Sequence, residues 1–313
     1  MKPRIITPVL KYWGFRKHPF DDNILKGQSL NLFVDREDEL HRLHNALSNR
    51  LTGIYGSQGV GKSSFLRKFE EVLENNSLAV AYVHLTGTTE KALYREILAT
   101  ILRCHTNGKI KTYRKIKLDS KRELERVEFS IRIARESEIG AAAVVKGGYK
   151  ELKEKQADPH TEESARLLIK DIIANTRTAF VVIVDDLERM KHFLENDEAY
   201  FRFITAFART VDESFSDESI AFIVSLDRHF VGRIGLESPG KQGTVSFSFG
   251  ELVELLSFQP QQLLELIRKR LNDRKWTKTL NDFISIDAFW VLITATGGHP
   301  RSCLLYTSPS PRD

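Results

Sequence analysis

Eight consecutive residues, Gly56-Ser57-Gln58-Gly59-Val60-Gly61-Lys62-Ser63, carry the residue types needed to wrap a chain of phosphates. The pattern is G-x-x-x-x-G-K-[ST], in which backbone N–H groups face phosphate oxygens at close range. Gly56 and Gly61 remove side chains where the backbone must bend. Lys62 offers a compact positive charge to the β- and γ-phosphates. The Ser63 hydroxyl is a hard oxygen ligand suited to Mg²⁺, and Ser64 follows it in the same turn. A helix running from Lys62 to about Glu74 adds the positive end of its dipole. The stretch Gly56–Ser64 is therefore the expected site for a nucleoside triphosphate and its Mg²⁺. A glycine-rich turn before an ordinary helix is the plain alternative.

Triphosphate chemistry also needs an acid that holds the metal and one that handles the attacking water. Ala179-Phe180-Val181-Val182-Ile183-Val184-Asp185-Asp186 supplies a candidate for each. The continuous apolar run suits a parallel strand buried on both faces. Asp185 at its carboxyl end is the expected Mg²⁺ holder, directly or through water. Asp186 or Glu188 would orient or activate the water. Read alone, the same segment is a core strand followed by a solvated acidic turn.

The surrounding elements alternate between strand and helix. Asp35 is the expected cap of a helix over REDELHRLHNALSNR, with Leu40, Leu43 and Leu47 on its apolar face. Strand 51–55 leads into the phosphate loop, and SSFLRKFEEVL has apolar positions 65, 66, 69, 72 and 73 at a helical period. Further strands are expected at 78–85 and 220–226, and a last one within ELVELLSF. Helices are expected from about Thr88, over 161–176 and 195–213, and over 260–274 and 285–296. From His105 to His160 the chain is basic and poorly periodic, with a candidate hairpin in IGAAAVVKGGYKELKEK turning at Gly147-Gly148. Residues 232–250 read as a glycine- and serine-rich loop. This order predicts an α/β fold with a parallel sheet and nucleotide at the strand carboxyl ends.

Composition bounds the class. The chain has 313 residues, 41% apolar and 28% charged, with a net charge of +5. That is ordinary for a globular protein of about two domains. No apolar run approaches the ~20 residues that span a bilayer. MKPRIITPVLKYWGF has a basic start but no sustained apolar segment, so no signal peptide is expected. The only two cysteines, Cys104 and Cys303, give no disulfide framework, which points to the cytoplasm. His41 and His44 lie on a charged helix face and read as solvated.

The order of parts resembles a family. FVDREDELHRL, GSQGVGKSSFL, FVVIVDDLER, AFIVSLD and a two-helix segment ending in GGHPR are similar to AAA+ and STAND-type P-loop ATPases. The nearest likeness is to the origin-recognition and initiator-like prokaryotic AAA ATPases, over residues 12–302. The resemblance implies a P-loop NTPase three-layer sandwich with a central parallel sheet, followed by a small helical lid. It implies ATP as the nucleotide and ATP hydrolysis as the activity. It also implies that Val34–Leu40, with Arg36, packs beside the adenine. Ser225 falls at the sensor-1 position, where a polar side chain meets the γ-phosphate or the water. Arg301 falls at the sensor-2 position. One departure is Asp185-Asp186, where many relatives have Asp-Glu; paired aspartates are more usual in STAND and KAP-like proteins. Arg228 and Arg233 are the candidate arginine fingers, with plain solvation as the alternative.

The expected organisation is an N-terminal lead-in and adenine-side helix over 1–50. A P-loop core follows over 51–258, with a basic insertion at about 105–160, and then a lid over 259–302. The last eleven residues, CLLYTSPSPRD, resemble a translated sequencing adapter, so 303–313 is expected to be a non-native, unpacked tail after a truncated lid that hydrolyses ATP slowly. Residues 103–122 carry eight Lys/Arg and one acid, a candidate nucleic-acid contact, though Tyr113 is the sole aromatic there. Three function classes fit: an ATP-driven module that remodels or loads a protein partner, on DNA or off it; a nucleotide-controlled signalling switch; and a binding scaffold with negligible turnover. Oligomers are compatible with each.

Overall fold

The computed structural model describes residues 20, 23–84, 90–112, 117–143, 159–176, 179–192, 194, 196–215, 219–231, 249–276 and 280–306. Its centre is a five-stranded sheet in the order β2-β3-β4-β1-β5. The strands are β1 Leu51–Gly56, β2 Ala79–His84, β3 Phe180–Asp185, β4 Ile220–Asp227 and β5 Glu251–Glu254. β2 and β3 pair in parallel from Ala79↔Phe180 to His84↔Asp185, and β3 and β4 from Phe180↔Ile220 to Val184↔Val224. Every residue of β3 is buried, and all of β4 except Asp227. Burial on both faces explains why these strands are apolar throughout instead of alternating. The expected α/β P-loop sandwich with a central parallel sheet is the fold observed.

The helices are α1 Glu37–Asn45, α2 Lys62–Asn75, α3 Glu90–Thr106, α4 Lys117–Ala143 and α5 Pro159–Ala174. They continue with α6 Asp197–Phe215, α7 Pro260–Asp273, α8 Leu280–Phe283, α9 Ile286–Thr296 and α10 Pro300–Tyr306. By packing, the chain divides into two compact units. One comprises 1–42, 55–69 and 254–313; the other comprises 43–54 and 70–253.

In the unit 43–54 and 70–253, α3 packs on β2 and against α4 and α5. Helix α4 corrects the sequence reading, which gave 105–160 no helix. Among its described side chains, the buried apolar ones are Leu124, Val127 and Ile131, a narrow helical stripe flanked by charged residues. That narrow stripe is what the basic composition hides. Ile139–Ala143 belong to α4, so no hairpin strand begins there; 144–158, with Gly147-Gly148, lie outside the described residues. The basic segment spends part of its charge internally. Arg103 pairs with Glu128 at 2.6 Å and Lys109 with Glu74 at 2.9 Å. His105 is buried and satisfied, with Nδ1 2.8 Å from Ser120 Oγ and Nε2 3.3 Å from Thr112 Oγ1.

In the unit 1–42, 55–69 and 254–313, α7, α9 and α10 enclose a core with Phe20 and Val34. Leu263, Leu266, Ile267, Leu271, Phe289 and Leu292 fill it. Pro260 opens α7 at a position where its missing N–H costs nothing. Ser285 caps α9 by accepting the Ala288 N–H, and Gly297 ends it at φ 59°. Asp35 is not the expected cap of α1. The Arg36 carbonyl accepts the first helical bond, from Leu40 at 2.9 Å. The Asp35 carboxylate instead takes the Arg36 N–H and the Gln262 amide, and the latter holds its pKa below the usual carboxylate value.

The chain after Ser302 is a second correction. Cys303 and Leu304 are 1% and 5% exposed and belong to this unit's core, with Cys303 Sγ 2.8 Å from Thr296 Oγ1. Proline stops a helix only near its own position. Pro309 and Pro311 are too far along to unpack Cys303 and Leu304; Leu305 and Tyr306 are exposed, and 307–313 lie outside the described residues. Leu304→Ala is expected to destabilise this unit by about 2–5 kcal/mol, the range for truncating a buried leucine. Chemical denaturation measures it; a loss below about 0.5 kcal/mol, the scale of a surface change, would contradict the packing.

Candidate functional site

The phosphate loop is built by three local constraints. β1 buries Leu51 through Ile54 and delivers the chain at Gly56. A Cβ on Gly56 would stand 2.5 Å from the Leu255 carbonyl oxygen, so no larger residue fits there without displacing backbone. Gly61 has φ +101°, outside the range of L side chains, and turns the chain into α2. The Phe65 N–H then donates to Gly61 O at 2.9 Å as the helix begins. Val60 is buried beneath the loop, and Gln58 is exposed at its tip.

Lys62 is 5% exposed. Its ammonium folds back on its own loop, donating to Gly56 O at 2.9 Å and Ser57 O at 3.3 Å. Ser63 is half-buried at the second position of α2. Ser64 faces the other way, its hydroxyl accepting the Leu25 N–H at 3.1 Å. Ser57 Oγ lies 3.3 Å from His299 Nδ1. The backbone N–H of Arg301 donates to Gly59 O at 3.3 Å. The Gly-Gly-His-Pro-Arg turn between α9 and α10 is thus seated on the phosphate loop.

Arg36 is nearly buried and fully engaged by protein groups. Its guanidinium pairs with Glu39 at 2.8 Å, donates to Leu256 O, and lies 4.6 Å from the Phe258 ring centre. Phe258 N–H in turn donates to Gly298 O at 2.9 Å. Arg36 therefore braces the turn between α9 and α10 instead of presenting its charge outward.

In the other unit, Asp185 is 1% exposed at the end of β3. Its Oδ2 accepts the Tyr82 phenol O–H at 2.7 Å, and its Oδ1 accepts the Asp186 N–H at 2.8 Å. Asp186 is half-buried with φ +63°, a left-handed position that aspartate and asparagine tolerate far better than glutamate. The Asp-Asp pair is thus what this turn favours. Glu188 is half-buried in the 3-10 turn Leu187–His192. Ser225 in β4 is 1% exposed, and its hydroxyl has no hydrogen-bond partner among the described residues. Leaving a buried hydroxyl unmet costs about 1–3 kcal/mol, a cost that a bound water or oxyanion would remove. Burial pushes the Tyr200 phenol well up, and the Asp227 and Glu188 carboxylates add to the rise. Arg228 is exposed just after β4, and Arg233 lies outside the described residues.

Sequence reasoning missed Tyr82 and His299. His299 stands inside the GGHPR motif, where only Arg301 drew attention. Tyr82 gives no sign in LAVAYVHL, because a tyrosine there reads as an ordinary strand former.

A parallel sheet whose first strand ends in a glycine-bent loop, with a lysine opening the next helix, defines the P-loop NTPase class. Residues 33–242 match a family model described as "ATPase domain predominantly from Archaea". The chain belongs to that family. No curated protein sequence matches it. Among solved structures, the Walker-type ATPase PABY2304 of Pyrococcus abyssi is similar in fold, with a TM-score of 0.52 at 15% identity over 93% of this chain. The ORC2 protein of Aeropyrum pernix, solved as ADPNP–ADP complexes, gives 0.51 at 16% identity, also over 93%. The chain spans 70% of the first relative and 65% of the second. No helix among the described residues is long and apolar enough to cross a membrane.

Proposed function

We propose that this protein binds Mg²⁺-ATP at Gly56–Ser64, hydrolyses it, and uses the nucleotide state to set its lid against a protein partner. The observation that carries this reading is the phosphate loop itself. Gly61 stands at φ +101° and Lys62 turns its ammonium onto the carbonyls of Gly56 and Ser57. A phosphate chain would draw that ammonium off two neutral carbonyls, exchanging them for a stronger charge-assisted contact. In an open parallel sheet, ligands bind outside the strand carboxyl ends, and the phosphate loop begins at the carboxyl end of β1.

Ser63 and Asp185 are the residues that would hold Mg²⁺. A hydroxyl and a buried carboxylate are hard oxygen donors and fit that ion. When bound, the ion supplies positive charge to the phosphate oxygens. Asp186 or Glu188 would orient the attacking water and take its proton, Ser225 would donate its hydroxyl to the γ-phosphate or the water, and Lys62 and Arg301 would meet the charge that develops. Arg36 would act by shape, holding the lead-in against the lid beside the adenine.

Coupling to a partner rests on the lid turn. His299 meets Ser57 and Arg301 meets Gly59, so a nucleotide that reshapes the loop also shifts the helix that follows. We read 259–302 as this lid and 51–258 as the core that drives it. The internal pairing of Arg103 and Lys109 leaves fewer cations for DNA phosphates, which favours a protein partner over nucleic acid.

Saturating Mg²⁺-ATP is expected to raise the melting temperature, through the ~2.7 kcal/mol supplied by a ligand at about 100 times its Kd. ADP and inorganic phosphate should appear in equal amounts. A melting curve unmoved by ATP, ADP and a non-hydrolysable analogue would overturn the reading.

A further inference from the structure

Tyr82 and Asp185 stand on neighbouring parallel strands, with Tyr82 opposite Ile183 and Asp185 opposite His84. Side chains alternate along a strand, so the two project from the same face, one diagonal step apart. The phenol covers that step and donates to Asp185 Oδ2 at 2.7 Å. The Asp186 N–H occupies Oδ1 at 2.8 Å. The carboxylate is 1% exposed and the tyrosine 9%. Both oxygens therefore carry a fixed donor, and the carboxylate is held against rotation.

We propose that Tyr82 is a positioning and specificity-determining residue: by holding Oδ2 it restricts Asp185 to one-oxygen ligation and so selects Mg²⁺ over Ca²⁺. The proposal rests on the reading of Asp185 as the holder of the nucleotide's divalent cation. Mg²⁺ demands near-ideal octahedral geometry, keeps several waters and takes few carboxylate oxygens. Ca²⁺ is larger, takes six to eight oxygens and readily accepts both oxygens of one carboxylate. The phenol takes one lone pair of Oδ2 and fixes the carboxylate plane, which disfavours the two-oxygen grip of Ca²⁺ and costs Mg²⁺, which needs one oxygen, little. Losing a group that orients a metal ligand in this way typically costs about 10- to 100-fold in metal affinity.

The test measures nucleotide affinity by displacement of a fluorescent ATP analogue, at fixed ionic strength, with Mg²⁺ or Ca²⁺ as the only divalent cation. Wild type, Tyr82→Phe, Asp185→Asn and the double variant are compared. Wild type should bind nucleotide more tightly with Mg²⁺ than with Ca²⁺. Tyr82→Phe should shrink that ratio about tenfold, the lower end of what losing such an orienting partner costs. In the Asp185→Asn background the same change should do nothing further. A wild type that does not distinguish the two cations overturns the proposal without any variant, so a variant that fails to fold leaves it decidable. An unchanged ratio in Tyr82→Phe, with Asp185→Asn abolishing cation dependence, overturns the role of Tyr82 alone. Cation dependence that survives Asp185→Asn overturns both readings. A merely structural tyrosine would weaken binding with both cations equally and leave the ratio where it was.

Discussion

Lys62→Ala is expected to abolish ATP binding at concentrations that saturate the wild type. Lys62 is almost entirely buried, and its ammonium donates to the carbonyls of Gly56 and Ser57 in the phosphate loop itself. It is the loop's own cation. A hydrogen bond to a charged group contributes about 1.5–3 kcal/mol, which is roughly a 10- to 100-fold loss of affinity for each one removed. Alanine removes the charge as well as the bonds, so the combined loss is at least on the order of 10²-fold. Titration with a fluorescent ATP analogue reads it directly. Melting in the absence of nucleotide separates loss of the site from loss of the fold, since the loop carbonyls also lose their donor. Wild-type affinity in a folded variant would remove Gly56–Ser64 as the nucleotide site.

The loop was legible in the sequence because its constraints are local. Gly56 cannot carry a Cβ beneath the Leu255 carbonyl, and Gly61 needs a left-handed φ. Each leaves a residue-type mark at a fixed spacing. β3 was legible for a similar reason, since burial on both faces forces an unbroken apolar run. Helix α4 was not, because its buried apolar stripe at Leu124, Val127 and Ile131 is narrow and set among charged residues. Cys303 and Leu304 were misread as unpacked because the resemblance of CLLYTSPSPRD to an adapter was applied to all eleven residues alike. The Tyr82–Asp185 bond depends on the register between strands about a hundred residues apart in sequence, and no local pattern encodes that register. The orphaned Ser225 hydroxyl is visible only once its surroundings are packed. What the sequence carried, then, was whatever the backbone demanded of single positions. What it withheld was which side chains meet across the sheet.

Hydrolysis is the step on which Asp186 and Glu188 compete, and their surroundings make the competition testable. Asp186 sits at φ +63° with its N–H tied to Asp185 Oδ1. Asparagine tolerates this left-handed position as well as aspartate does. Asp186→Asn therefore keeps the backbone and the side-chain shape and deletes only the negative charge. Expected are an unchanged affinity for Mg²⁺-ATP and a fall in kcat of about 10²- to 10⁴-fold, the usual effect of losing a general base. Asp186→Glu tests the same point from the other side. It restores the acid but places a longer side chain in the left-handed region, so recovery should be partial. Glu188 lies two residues on, in the first turn of the 3-10 segment, where its carboxylate approaches the Tyr200 phenol. Glu188→Gln is expected to leave most of the turnover intact. If instead turnover survives Asp186→Asn and disappears in Glu188→Gln, the base is Glu188 and Asp186 serves the turn. If neither substitution slows phosphate release while ATP still binds, neither carboxylate handles the water, and the hydrolytic half of the proposed function falls while the binding half stands.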